Sequence, residues 1–291
     1  MSLAVSVETL LAQKFLIHRL RSGSSRHYAR QILKGAHRSK LHGSGLELDE
    51  TRQYQSGDDV RQMDWRISAR LGKPYVRLVT EEKRKNVRLC VDLRSSMYWA
   101  TQGQPKSVLA METAALLGWW HLSEGDRVGA TVLTDDAVLQ FQPSARTPDW
   151  VRVLTAMVEA QPTEMGAQVS VDIAKVTAEL GELRQGDRGY WLSSIADCPH
   201  DWMPRGDWVL LPIADAFEQG WDGLSSLVLS DGVAQLQFSG EQRMKMSQRQ
   251  GELNAMQQAD WLRWGQRLKA NVWPMATQTS ALEQLQGWLR G

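Results

Sequence analysis

Val87-Arg88-Leu89-Cys90-Val91-Asp92-Leu93-Arg94-Ser95-Ser96-Met97 is the stretch on which the fold turns. Residues 87–93 form a short, nearly continuous apolar run, the signature of a strand buried on both faces. Downstream, Pro105 opens a helix over 105–122 that carries Val108, Leu109, Met111, Ala115, Leu116 and Trp119. Gly125-Asp126 turns the chain into a strand over 127–134, and 138–142 reads as an adjoining edge strand. Helices are predicted over 147–160 and 169–180, and strands over 189–195 and 207–215. This alternation predicts an α/β fold, a doubly wound and mainly parallel sheet with helices on both faces. Beyond it come a hairpin of 224–230 and 233–239 across Asp231-Gly232, a long helix near 240–270, a last strand in 271–277 and a helix from about 280.

Working back toward the N-terminus, Val7, Leu10, Leu11, Phe15 and Ile17 mark one helix face over 6–20, and a second short helix is expected from Ser25 to Leu33. Residues 35–50 read as an exposed loop, followed by a dense polar block and an extended stretch over 75–82. The expected division is an N-terminal helical and extended clasp over 1–86 and an α/β domain over 87–291. The thirteen tryptophans fall mostly at strand or helix core positions or next to turns.

Charge and motifs narrow the function. The net charge is +1, but Lys14 to Lys40 holds eight Lys or Arg residues and no acid, leaving about −7 for the rest. That basic segment, 14–40, suits a contact with an anionic surface, although no nucleic-acid motif accompanies it. Two cysteines without CxxC spacing argue against a disulfide framework or a cysteine zinc site. Phosphate loops, GxGxxG, HExxH and nucleophile-elbow motifs are missing from the sequence. With no apolar stretch of spanning length and no leader pattern, the expected location is the cytoplasm.

The strand end Asp92-Leu93-Arg94-Ser95-Ser96 resembles the Asp-x-Ser-x-Ser signature of von Willebrand factor A domains. The resemblance implies a metal-ion adhesion site, where a carboxylate, two hydroxyls and two later loops hold a divalent cation such as Mg2+. A wider pattern precedes it: Arg52-x-Tyr54-x-x-Gly57-Asp58-Asp59-x-Arg61-x-x-Asp64-Trp65-x-x-x-Ala69-Arg70. With Gly125-Asp126-Arg127-Val128-Gly129 and Asp215-x-x-Glu218, it resembles the bacterial family termed domain of unknown function 58, over nearly the whole chain. That resemblance implies a von Willebrand factor A-like domain in a short, soluble form. It also implies a MoxR-type AAA+ ATPase, or a client of one, as partner, and a non-catalytic adaptor role in chaperone-like maturation.

The adhesion site departs from its pattern. Arg94 stands where the first serine belongs, the second-loop threonine falls near Gln168, and the late aspartate falls at Ser194. A guanidinium roughly 4 Å from a divalent cation meets like-charge repulsion of several kcal/mol. The expectation is a degenerate, metal-free site with Arg94 in the cation's place, paired to Asp92; a bound cation would fall to Asp92, Ser96 and Asp197. The expected partner rim is Asp92, Arg94, Ser95, Ser96, Gln168 and Ser194, with Arg94 free to hold a partner carboxylate. Arg52, Tyr54, Gly57, Asp58, Asp59, Arg61, Asp64, Trp65 and Arg70 form a structural clasp or a partner-facing surface. Two rival functions are a metal-dependent hydrolase built on Asp58, Asp59 and Asp64 or on Asp92, and an anionic-surface binder using 14–40.

Overall fold

A computed structural model describes residues 4–23, 46–56, 58–81, 84–98, 100–101, 103–161, 183–199, 201–219, 226–230 and 235–290. The chain forms two compact units, one of Met1–Gly35 with Lys85–Gly291 and the other of Ala36–Arg84. The first begins with α1 (Val7–Ala12), a 3-10 turn over Gln13–Leu16 and α2 (Ile17–Gly23). Ser6 caps α1 by accepting the Thr9 N–H at 3.3 Å. Leu10, Ile17 and Leu20 are buried in the same core as the sheet described below, so these residues belong to the α/β unit rather than to the 36–84 segment. The single helix read over 6–20 is therefore three short pieces. The helix read over Ser25–Leu33 lies outside the described residues, as do the basic residues from Arg26 to Lys40.

The second unit pairs β1 (Leu46–Gln53) antiparallel with β2 (Tyr75–Glu81). Leu46 to Glu50 thus belong to a strand and not to the exposed loop read over 35–50; the Leu46-x-Leu48 alternation is completed by a distant partner that local composition does not reveal. Between the strands lie a 3-10 turn at Val60–Gln62 and α3 (Trp65–Leu71). Gly72, at φ 66°, closes α3 in the left-handed conformation that glycine adopts at little cost.

The α/β unit continues with β3 (Asn86–Asp92), α4 (Lys106–Ser123), β4 (Arg127–Leu133), β5 (Val138–Ser144), α5 (Thr147–Glu159), β6 (Arg188–Ser194) and β7 (Asp207–Ala214). After the short α6 (Ala216–Gln219), β8 (Ser226–Ser230) and β9 (Gln235–Ser239) form the expected antiparallel pair. The long α7 (Gly240–Leu268), β10 (Asn271–Val272), β11 (Met275–Ala276) and α8 (Ala281–Arg290) follow. The strand read over 271–277 is two short strands, divided where Pro274 lacks the N–H a ladder needs. The helix read over 169–180 lies outside the described residues.

The main sheet runs β10-β7-β6-β3-β4-β5, with β11 also beside β7, and is parallel throughout except for β4 against β5. It is a doubly wound α/β sheet, as expected. Alternate residues of each strand feed two separate cores. Val87, Leu89, Val91, Tyr190, Leu192, Val209 and Leu211 face one core with α4 and α5; Cys90, Trp191, Trp208 and Leu210 face the other with Trp261 and Trp264 of α7. Helix α4 is buried on nearly every side, and a side chain at Gly118 would collide with the Trp150 indole, so close packing excludes anything larger there. On the second face Trp202 packs between Trp191, tilted at 47°, and Trp208, edge to face at 74°, with ring centroids 5.0 and 5.2 Å away. Burial pushes the Cys90 thiol up to about 12, which leaves it an inert core residue.

Near the N-terminal ends of the parallel strands, His121 is buried between Asp126 and the Tyr190 hydroxyl, each 2.8 Å from a ring nitrogen. Burial outweighs the Asp126 carboxylate and holds the histidine below its usual range. A neutral ring donating from Nδ1 and accepting at Nε2 satisfies both neighbours. The network ties α4 to β6 and is enclosed by the fold.

Candidate functional site

In an open α/β sheet the loops leaving two adjacent strands diverge where the strand order reverses, and a crevice forms at their carboxyl ends. Here the chain goes from β3 outward to β4 and β5, then returns to the other side of β3 as β6. The switch point therefore lies between β3 and β6. Asp92 ends β3 there, with Ser193 at the end of β6 facing it.

Asp92 is fully buried and its carboxylate is saturated. Arg94 donates from Nε to Oδ1 at 2.9 Å and from Nη2 to Oδ2 at 2.6 Å, a two-pronged pair; the Arg94 N–H also reaches Oδ1 at 3.1 Å, and Ser193 Oγ donates to Oδ2 at 2.6 Å. Arg94 Nη2 lies 3.2 Å from Asp197 Oδ2, which also accepts from Ser96 Oγ at 3.2 Å. Burial pulls the Arg94 guanidinium down, but Asp92, helped by Asp197 and Asp135, outweighs it and leaves the group firmly charged. Burial raises the Asp197 carboxyl against the opposing pull of Arg94. The Arg94–Asp92 pairing expected from sequence is thus present.

Two further clusters flank this pair. Toward β4, Asp135 accepts the Ser95 N–H at 3.0 Å and its hydroxyl at 3.2 Å, which fixes the turn after β3. Toward β7, Lys106 at the start of α4 donates to Ser194 Oγ at 2.9 Å and pairs with Glu218 at 2.8 Å. Glu218 Oε2 accepts the Asp215 N–H at 2.7 Å, and Asp215 accepts from the hydroxyls of Thr101 and Thr277. The Asp215-x-x-Glu218 pattern is thereby explained as a double cap on the turn after β7. Polar side chains line four adjacent strand ends.

The residues read from sequence as a rim differ in exposure. Ser95 and Ser96 reach the surface, whereas Asp92, Arg94 and Ser194 are buried. Ser194 faces α4 and Lys106; its neighbour Ser193 is the residue that meets Asp92, because successive strand residues point to opposite faces. Gln168 lies outside the described residues. The Arg94 side chain is 8% exposed, and its Nε and Nη2 are already engaged, so the expected free grip on a partner carboxylate is not available. Sequence reading missed Lys106, Asp135 and Ser193. The family-like Asp215-x-x-Glu218 was the one signal pointing toward Lys106.

The donor set does not fit a divalent cation. A guanidinium covers both Asp92 oxygens, and no group of three or more His, Cys, Asp or Glu among the described residues is arranged for a metal. Nor do Asp58, Asp59 and Asp64 converge. Asp58 pairs with Arg52 at 2.5 Å and accepts the Gln55 N–H, Asp59 accepts the Arg61 N–H, and Asp64 caps α3 through the Arg66 and Ile67 N–H groups. Each carboxylate organises its own turn. Tyr54 is held by its backbone N–H on Pro74 at 2.8 Å, and Gly57 lies outside the described residues.

The block and the first half of the α/β unit, residues 50–187, match the model of the protein family of unknown function DUF58. The match takes in just under half of the chain, and over it the chain is similar to that family. Curated relatives include uncharacterized proteins of Mycobacterium bovis and Mycobacterium tuberculosis, each 36% identical over 107 residues, which is 37% of this chain. The chain spans about a third of the length of these relatives, 34% in the matched region. No helix among the described residues is long and apolar enough to cross a membrane.

Proposed function

We propose that this chain is a non-catalytic interaction module of von Willebrand factor A-like architecture, and that it docks partners at the C-terminal edge of its sheet. The observation that carries the reading is the Arg94–Asp92 pair at the switch point. It places a positive group where an adhesion site would place a cation, and it is braced from both sides by Ser193 and Asp197. The strand order and the antiparallel edge strand support the architecture. With Arg94 enclosed, the groups a partner meets are Ser96, Ser95, Asp135 and Asp197. The buried pair is the rigid floor beneath them. The partner proposed from the family resemblance is a MoxR-type AAA+ ATPase, or a client it acts on, in the cytoplasm.

Ser96→Arg tests the rim while keeping the Asp92–Arg94 and Asp92–Ser193 bonds, because Ser96 is exposed and its side chain bonds Asp197 and not Asp92. Surface titration against the MoxR-type ATPase of the same genome is expected to give binding weakened at least about tenfold by the variant, with an unchanged circular dichroism spectrum. Equal binding by wild type and variant contradicts the assigned rim.

A further inference from the structure

Trp65 differs from the buried tryptophans of the core. Trp150, Trp191, Trp208, Trp261 and Trp264 are at most 1% exposed, whereas Trp65 is 67% exposed. It opens α3 with Ala69 beside it one turn on, and Arg66 and Arg70, also four residues apart, form the next row round the helix. All four are exposed, as are Val60 and Arg61 in the preceding turn. Two placements there run against local helix stability: Arg66 sits in the first turn, where the helix dipole disfavours a cation, and Arg66 with Arg70 is a like-charge pair at i, i+4. Of the acids here whose side chains are described, Asp58 pairs with Arg52, and Asp59 and Asp64 accept backbone N–H groups. The exposed acid of this segment, Asp59, already accepts the Arg61 backbone N–H.

We propose that this face, Trp65 with Arg61, Arg66 and Arg70, is a second docking surface, and that its occupant is an acidic segment of a partner protein. An apolar side chain of that segment packs on the indole while flanking carboxylates engage the guanidinium groups. Charge complementarity selects the occupant: three exposed cations and one large exposed apolar side chain lie within ten residues, and guanidinium forks match carboxylates in paired geometry. Tryptophan and arginine are also the residue types that carry most of the binding energy at protein interfaces. Nucleic acid fits less well, since the chain as a whole is nearly neutral at +1 and carries one indole here rather than a stacking series. This surface stands independently of the sheet-edge rim and of whatever binds there.

A random peptide library displayed on phage and selected on the full-length protein tests the proposal, with the Trp65→Ala/Arg66→Glu/Arg70→Glu variant as counter-target. The exposure of all three residues lets the variant fold, which circular dichroism verifies. The expected result is enrichment of peptides with Asp or Glu around a large apolar residue. Their affinity should fall roughly thirtyfold in Trp65→Ala alone and also fall with added salt. Four outcomes overturn it: enriched peptides without acidic excess; peptides that bind the variant equally well; displacement by a tighter-binding single-stranded DNA; or no enrichment, which is the result if the chain's own surface or a second copy already covers the face.

Discussion

Asp92→Ala is expected to lower the unfolding free energy by about 3–5 kcal/mol, read as a shift in the urea midpoint at unchanged slope. The carboxylate is wholly buried and receives four hydrogen bonds. Its removal leaves a nearly enclosed guanidinium with Asp197 as its remaining charged partner, and a guanidinium cannot shed its proton to escape. Arg94→Leu likewise leaves an uncompensated buried charge, whereas Asp92→Ala/Arg94→Leu leaves none and is expected to recover much of the loss. A double variant no more stable than either single one, or a loss below about 1 kcal/mol in Asp92→Ala, would show that the pair does not carry the site.

Breaking the neighbouring pair should cost a similar amount. Lys106 is 1% and Glu218 10% exposed at the side chain, so Glu218→Leu takes the paired carboxylate from a buried ammonium that also donates to the Ser194 hydroxyl. A loss of about 3–5 kcal/mol is expected, with much of it recovered in Lys106→Met/Glu218→Leu, because removing both charges removes the desolvation that opposed burial. The recovery is incomplete, since Glu218 also caps the Asp215 N–H. A double-mutant cycle measures the coupling; strictly additive losses would mean that the two side chains do not depend on each other.

The fold could be read from the chain because its strands are uniformly apolar and its helices lie between them, as over 86–92 and 106–123. The same uniformity hid the faces. In Trp191-Leu192-Ser193-Ser194 nothing local says which serine points to Asp92, and the structure selects Ser193. Arg94 and Asp92 are two residues apart, so their pairing was accessible from sequence. Lys106 and Glu218 are separated by 112 residues, and a lysine opening a helix ordinarily lies in solvent. Trp65 reads from sequence, with its block, as part of a structural clasp or a partner-facing surface, and its 67% exposure is what only the structure supplies.

The most direct measurement of the central claim, that Arg94 stands where an adhesion site holds its cation, is calorimetric titration of the wild-type protein with Mn2+. The account predicts no saturable binding, because the guanidinium covers both Asp92 oxygens. Micromolar binding that disappears in Asp92→Ala would contradict it.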